Sequence, residues 1–276
     1  MINFIGIGAQ RTGTSWVYTC LYEHPEICAP IKEIHFFSRP RYSEGIPWYE
    51  AHFSKCKPTQ KVGEFSTSYL YSEVAAERIH AAYPDVKIIA ILRNPIVRAV
   101  SQYGNAVKAG EIPESMPFDE YAKLEKSVCE QGLYSVQLER YFKYFKKSQV
   151  LILIHEDAKK DPQAFMTRIY DFLGVESSFV PSMLHETINT TRVPKNIALE
   201  RKMHFFSEFL RRNGLDGFVH LVRRSGLPEL VRKLNTKPKK EEKESYDKST
   251  LVAYFKDDVV KLSAMLDRDL VTEWGM

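Results

Sequence analysis

Three groups of residues have side chains and spacings suited to chemistry. Gly8 and Gly13 lie five apart, with Ser15 following, in the run I-G-I-G-A-Q-R-T-G-T-S-W. This is close to the phosphate-cradling pattern G-x-x-x-x-G-K-[ST]. Thr14 occupies the lysine position, however, and the cation stands inside the loop as Arg11. The run reads as a phosphate cradle that lacks a triphosphate anchor. Glu33 and His35 are two apart in P-I-K-E-I-H-F-F, a carboxylate and an imidazole of the kind a proton transfer needs. Arg93 closes an apolar run, and Ser101 lies within two turns of the helix that follows. A guanidinium and a hydroxyl placed there suit a second phosphate, separate from the one over Gly13.

These groups need particular elements to hold them. Ile2, Phe4, Ile5 and Ile7 form a buried strand, and Ser15 opens an amphipathic helix, so backbone N–H groups and the helix dipole converge on the loop between. If residues 30–37 are extended, Glu33 and His35 point to one side while Ile34 and Phe36 point to the other. Taken alone, the stretch fits a surface loop anchored by Phe36 and Phe37 equally well. Residues 38–60 read as irregular, rich in aromatics between Phe36 and Phe53. Lys61–Ser66 reads as a short strand, and Ser72 as the cap of a helix ending near Tyr83.

Val86–Leu92 (V-K-I-I-A-I-L) has the continuous apolar character of a parallel strand buried on both faces. Pro95 then starts a helix, and ligands of open α/β sheets bind beyond the carboxyl ends of strands, where Arg93 stands. Residues 104–116 read as a loop, followed by helices over about Phe118–Glu130 and Gly132–Lys147. Val150–Ile154 is a further strand, and Pro162–Leu173 a helix stopped by Gly174. His155, Glu156 and Asp157 lack metal-ligand spacing, and no metal is expected. Residues 189–202 form a basic loop with Arg192 and Lys195, a candidate lid over an anion. Paired cations (Arg211, Arg212, Arg223, Arg224) read as polar helix faces ahead of a membrane-surface face. Residues 236–248 read as a flexible charged loop, and a last helix runs from about Ser249 to Leu266.

The expected fold is α/β: a P-loop-like parallel sheet flanked by helices, with a helical C-terminal portion, in one domain over residues 1–276. Hydrophobic content of 44% and charged content of 27% are those of an ordinary globular chain. A net charge of +4 suits an anionic ligand in a basic cleft and does not call for nucleic acid. No apolar run approaches the roughly 18 residues of a membrane span. The first strand begins too early to leave room for a signal peptide. Cys20, Cys28, Cys56 and Cys129 are scattered and are expected to be reduced, which with the other points suggests a cytoplasmic enzyme.

A phosphate loop followed by a strand ending in Arg93, with Ser101 beyond, calls for a nucleotide with two separate phosphates. Here the chain resembles a known family. A-Q-R-T-G-T-S-W, K-E-I-H-F-F, L-R-N-P-I-V-R-A-V-S-Q-Y, G-L-Y-S-V-Q-L-E-R-Y and the C-terminal Y-F-K-D-D-V-V-K-L-S-A-M-L-D-R-D-L look like sulfotransferases that use 3′-phosphoadenosine 5′-phosphosulfate (PAPS). The likeness is to their heparan-sulfate-type and related bacterial branch. It implies that Arg11, Thr12, Gly13, Thr14 and Ser15 hold the 5′-phosphosulfate, and Arg93 with Ser101 the 3′-phosphate. Arg192 and Lys195 would close over the cofactor, Glu33 would be the general base, and Arg11 and His35 would stabilise transition-state charge. The product is 3′,5′-adenosine bisphosphate (PAP), and the acceptor a hydroxyl, or second an amine, of a carbohydrate, lipid or biosynthetic intermediate.

Two positions depart from that family. Arg11 replaces its usual lysine and keeps the charge without being able to shuttle a proton. Phe65 stands where some heparan enzymes carry an acceptor-contacting lysine, which counts against a highly anionic polysaccharide. The alternative readings are a P-loop kinase or NTPase, which Thr14 opposes, and a silent nucleotide-binding protein.

Overall fold

In the computed structural model the described residues are 2–185 and 246–276. The chain forms two compact units, one of Met1–Ser101, Ala122–Ile188 and Asp247–Met276, the other of Gln102–Tyr121 and Asn189–Tyr246. In chain order the first elements are β1 (Phe4–Gly8), α1 (Thr14–Glu23), β2 (Ile27–Cys28), α2 (Gly45–Ala51), β3 (Lys61–Phe65), α3 (Ala75–Ala82), β4 (Lys87–Leu92) and α4 (Pro95–Ala109). Then come α5 (Phe118–Leu124), α6 (Ser127–Glu130), α7 (Tyr134–Phe142), β5 (Val150–Ile154), α8 (His155–Lys160), α9 (Pro162–Leu173), α10 (Lys248–Leu266) and α11 (Leu270–Trp274).

The strands form one sheet in the order β2-β3-β1-β4-β5, every neighbouring pair parallel. β4 has a partner on each side, so both its faces are covered, and Ile88 to Leu92 are fully buried. That is why its sequence is continuously apolar rather than alternating. On one face Val17, Cys20 and Leu21 of α1 and Phe165, Met166 and Ile169 of α9 pack with Phe4, Ile89, Ile91 and Leu153 of the sheet. β1 and β3 approach closely at Gly6, where an added Cβ would lie 2.1 Å from the Phe65 ring. Only a hydrogen fits beneath that ring.

Several boundaries differ from the sequence reading. α4 continues to Ala109 through Gly104 and ends at Gly110, which has φ +70°. A glycine inside a helix costs only about 1 kcal/mol, and Gly110 supplies the stop. Residues 38–60 contain α2, with Pro47 in its first turn, where the missing N–H has no intrahelical partner to lose. α3 begins at Ala75 with no side-chain cap, so Ser72 does not start it. The helix expected over Phe118–Glu130 is two short ones, α5 and α6.

The cysteines require a correction. Cys28, at the end of edge strand β2, is bonded to Cys56 after α2, with a Cα–Cα distance of 5.7 Å. Only Cys20 and Cys129 are free thiols. Burial, with Glu23 nearby, pushes the Cys20 thiol up to about 12, so it is unreactive. A cross-link closing 28 residues constrains the unfolded chain by roughly 3–4 kcal/mol. Alkylation of unfolded, unreduced protein, read by mass, should therefore label two cysteines, and four only after reduction. Labelling of all four without reductant would show Cys28 and Cys56 to be thiols.

Candidate functional site

β1 stops at Gly8, and the chain turns through residues 9–13 into α1. Ala9 N–H donates to Ile91 O at 2.8 Å, tying the loop to β4. Thr12 Oγ1 donates to Ala9 O at 2.7 Å, so this buried hydroxyl braces the loop from inside and does not face a ligand. Gly13 is the N-cap of α1 at φ +86°, with no side chain capping the helix and no acidic residue in its first turn. An uncapped, acid-free helix start suits an anion. A Cβ on Gly13 would also lie 2.7 Å from His155 Nδ1, at the start of α8. His155 is a loop neighbour that sequence reasoning did not assign. Burial, with Arg93 and Lys159 adding, holds its imidazole down at about 4 against a hydrogen bond to the Thr12 backbone.

The second anion group joins the first directly. Arg11 Nε donates to Ser101 Oγ at 3.3 Å, and Arg93 Nη1 donates to Arg11 O at 3.3 Å. Residues assigned from sequence to two separate phosphates thus share one hydrogen-bonded cluster. Burial lowers both guanidinium pKa values, and at Arg11 the neighbouring Arg93 lowers it further. Arg93 Nε is buried without a hydrogen-bond partner among the described residues. Glu156 offsets part of the cost of burying Arg93, and the two guanidiniums together make this strand edge strongly cationic.

The framework behind Arg93 comes from the C-terminal half. Tyr134 OH donates to Arg93 O at 2.9 Å, and Asn94 Nδ2 donates to Trp274 O at 3.0 Å. Asp258 of α10 accepts from Ser135 N at 3.1 Å, fixing the start of α7 that carries Tyr134. The His155-Glu156-Asp157 run goes to three different places. His155 packs on the loop, Glu156 accepts from Asn94 N, and Asp157 pairs with Arg268 at 2.5 Å.

Glu33 and His35 do meet, though not on an extended strand. Both have left-handed backbones, φ 64° and 56°. Glu33 Oε2 lies 3.3 Å from His35 Nε2. Glu33 is also clamped by Thr67, which donates from N at 2.9 Å and from Oγ1 at 3.1 Å, and by Lys32 Nζ at 2.7 Å. Thr67 in turn abuts the start of the phosphate-type loop, since a Cβ on Gly8 would lie 3.0 Å from Thr67 O. His35 Nδ1 is 2.7 Å from Ser68 Oγ, and its backbone N–H donates to Ser66 Oγ at 2.9 Å.

Ser66 donates at 2.7 Å to Glu64, a fully buried carboxyl of β3. Burial drives Glu64 up to about 7, against hydrogen bonds from Ser66, Tyr69 and Tyr49. Burial also lowers the His35 pKa; Glu33 opposes this, and Arg39, Lys32 and Arg41 add to it. No sequence pattern marks Thr67, Ser68 or Glu64, because their placement follows from the pairing of β3 with β1.

Other expectations resolve differently. Arg192 and Lys195 lie outside the described residues, as do 236–245 of the charged loop. Phe65 is fully buried beside Gly6, so position 65 presents no cation to an acceptor. The aromatics after His35 pack on one another, Phe36 stacking on Tyr49 at 4.9 Å and on Trp48 at 5.9 Å. Phe36, Phe37 and Tyr49 are fully buried and anchor the Glu33–His35 segment. Val136 of α7 is exposed, while Leu138 and Tyr141 of the same helix are buried.

A family model described as "Sulfotransferase domain" matches residues 3–214. The chain is 32% identical over 196 residues to the mouse bifunctional heparan sulfate N-deacetylase/N-sulfotransferase 4, covering 63% of this chain and 22% of that protein. It is 32% identical over 176 residues to the human heparan sulfate glucosamine 3-O-sulfotransferase 6, covering 62% of this chain and 51% of the relative. The chain therefore spans about half or less of these curated relatives. The crystal structure of a sulfotransferase from Alicyclobacillus acidocaldarius superposes with a TM-score of 0.71 at 26% identity, covering 100% of this chain and 99% of that one.

The His155 contact gives a pH test of the loop. The folded-state pKa lies below the ordinary value of 6.5, at about 4. The unfolded chain thus takes the proton first, and the contribution is present above pH 6.5 and lost as pH falls toward 4. Relative to His155→Phe, the wild type should lose up to about 3 kcal/mol of unfolding free energy over that window, measured by urea denaturation. Glu64 titrates in both proteins and cancels in the difference. A pH-independent difference would remove the neutral, loop-packed His155 from the account.

Proposed function

The chain belongs to the sulfotransferase domain family, and from that membership we propose that it moves a sulfuryl group from PAPS to a hydroxyl, or second an amine. The observation that carries this reading is the joined pair of guanidiniums, Arg93 on the Arg11 carbonyl and Arg11 on Ser101, at the end of β1 and β4. The Arg93 Nε, without a hydrogen-bond partner among the described residues, and the uncapped start of α1 at Gly13 both fit a phosphorylated nucleotide.

PAPS supplies the activated sulfuryl group. In this reading Arg11 to Ser15 hold the 5′-phosphosulfate through backbone N–H groups and the Arg11 guanidinium, and Arg93 with Ser101 holds the 3′-phosphate. Arg192 and Lys195 close over the nucleotide. Glu33, held in one orientation by Thr67 and Lys32, takes the proton from the acceptor hydroxyl. Arg11 meets the charge that grows on the departing oxygen, and His35 supports Glu33. PAP is the other product.

A glycan is the acceptor class we favour over a lipid or a biosynthetic intermediate. Heparan sulfate appears in the names of the curated relatives, and Lys32, Arg39 and Arg41 bear on His35 with positive charge. Position 65 lacks the family's lysine, so Lys32, Arg39 and Arg41 are the cations this reading relies on for an anionic glycan. Among the described residues no helix is long and apolar enough to cross a membrane. A cytoplasmic chain would hold Cys28 and Cys56 reduced, so the thiol count above also bears on the compartment.

Two variants test the assignments. Glu33→Gln should lower kcat by at least ~10²-fold, the size of a lost general base, while PAP affinity stays within a few-fold. Loss of PAP binding instead would take Glu33 out of the catalytic role. Arg93→Ala should weaken PAPS by roughly 10- to 100-fold, the worth of a charge-assisted bond, and adenosine 5′-phosphosulfate much less. Equal weakening of both would refute the 3′-phosphate assignment.

A further inference from the structure

A base that accepts a proton in each turnover must also release it, and the surroundings of Glu33 contain a way out. From Glu33 Oε2 the contacts run 3.3 Å to His35 Nε2, then from His35 Nδ1 2.7 Å to Ser68 Oγ, then 2.7 Å to Ser38 Oγ. Ser38 is partly exposed. The direction of the chain follows from its far end. Ser38 Oγ donates to His35 O at 3.4 Å. Its lone pairs then face Ser68, which donates to Ser38 and so accepts from His35. That puts the ring hydrogen on Nδ1, and Nε2 becomes an acceptor for Glu33 once that carboxylate has taken up its proton.

We propose that His35, Ser68 and Ser38 form the path by which the proton taken up by Glu33 leaves the site. This rests on the sulfuryl-transfer reading of Glu33. In the first step the acceptor O–H breaks and the proton joins the Glu33 carboxylate. In the second the carboxyl O–H breaks and an N–H forms at His35 Nε2, giving a transient imidazolium and restoring the carboxylate. In the third the Nδ1 proton passes to Ser68 Oγ as the Ser68 hydrogen passes to Ser38, and a Ser38 hydrogen passes to water. No charge is gained or lost by the protein, and exchange with water resets the ring tautomer between turnovers.

The groups that face His35 favour this passage. Arg39, Lys32 and Arg41 oppose a lasting positive charge on the ring, while Glu33 alone favours it, and burial sides with the cations. The imidazolium is therefore short-lived and hands its proton on. Ser68 and Ser38 are relay residues: they act through His35, and nothing assigns them contact with a substrate.

The test combines a spectroscopic and a kinetic reading on the full chain. In 15N-histidine NMR near neutral pH, His35 should be neutral with its hydrogen on Nδ1. Ser68→Ala should shift the hydrogen toward Nε2, and Ser68→Thr should not. In parallel, PAP release from PAPS is followed with an added glycan oligosaccharide or with water as acceptor. Ser68→Ala should lower kcat roughly tenfold or more, with KM for PAPS unchanged, and added imidazole buffer should restore part of the loss. Ser68→Thr should stay within a few-fold of wild type. A wild-type His35 protonated on Nε2, or an active wild type matched in kcat by Ser68→Ala, would overturn the relay alone. A wild type that releases no PAP would overturn the sulfuryl-transfer reading, and the relay with it.

Discussion

The site depends on one constraint: β1 sits in the middle of a parallel sheet, paired with β3 on one side and β4 on the other. Parallel neighbours end at the same edge, and ligands of such sheets bind beyond their carboxyl ends. The turn after β3 delivers Ser66, Thr67 and Ser68, the loop after β1 delivers Arg11 and Gly13, Arg93 directly follows β4, and His155 directly follows β5. Four adjacent strands thus place the base clamp, the anion cradle and its buttress in a row. The tight fit of Phe65 over Gly6 and of Thr67 against Gly8 sets the spacing between the first two.

Charge is arranged to match this row. Cations cluster at Arg11 and Arg93, both partly desolvated, where the proposed nucleotide phosphates would lie. Beside Glu33 the fully buried carboxyl of Glu64 is driven by burial up to about 7 and serves as a hydrogen-bond hub for Ser66 and Tyr49. Glu33 remains partly exposed, with Thr67, Lys32 and His35 around it. Glu64 is enclosed in the core and Glu33 faces the edge of the site, which is why the proposed proton transfer falls to Glu33.

Much of this was legible in the chain. The Gly8–Gly13 spacing, the apolar run to Leu92 and the pairing of Glu33 with His35 are local patterns, and each marks an element or group found at the site edge. What stayed hidden arises from contacts between distant segments. Thr67 and Ser68 matter only because β3 lies beside β1, and His155 only because the start of α8 meets the loop. The left-handed backbones at Glu33 and His35 have no marker such as glycine, so periodicity suggested an extended piece. Cys28 and Cys56 are bonded because β2 pairs with β3 at the edge, a closeness that their separation of 28 residues conceals.

The central claim is that the loop after β1 and the Arg93–Ser101 group together hold a nucleotide bearing two separated phosphates. The most direct measurement compares thermal stabilisation by PAP, ADP and ATP with Mg²⁺. At about 100 times its dissociation constant a ligand adds roughly 2.7 kcal/mol, a readable rise in melting temperature. The account predicts a clear rise with PAP, a smaller one with ADP and none beyond that with ATP and Mg²⁺. A rise with ATP and Mg²⁺ alone would contradict it and make the loop a triphosphate cradle.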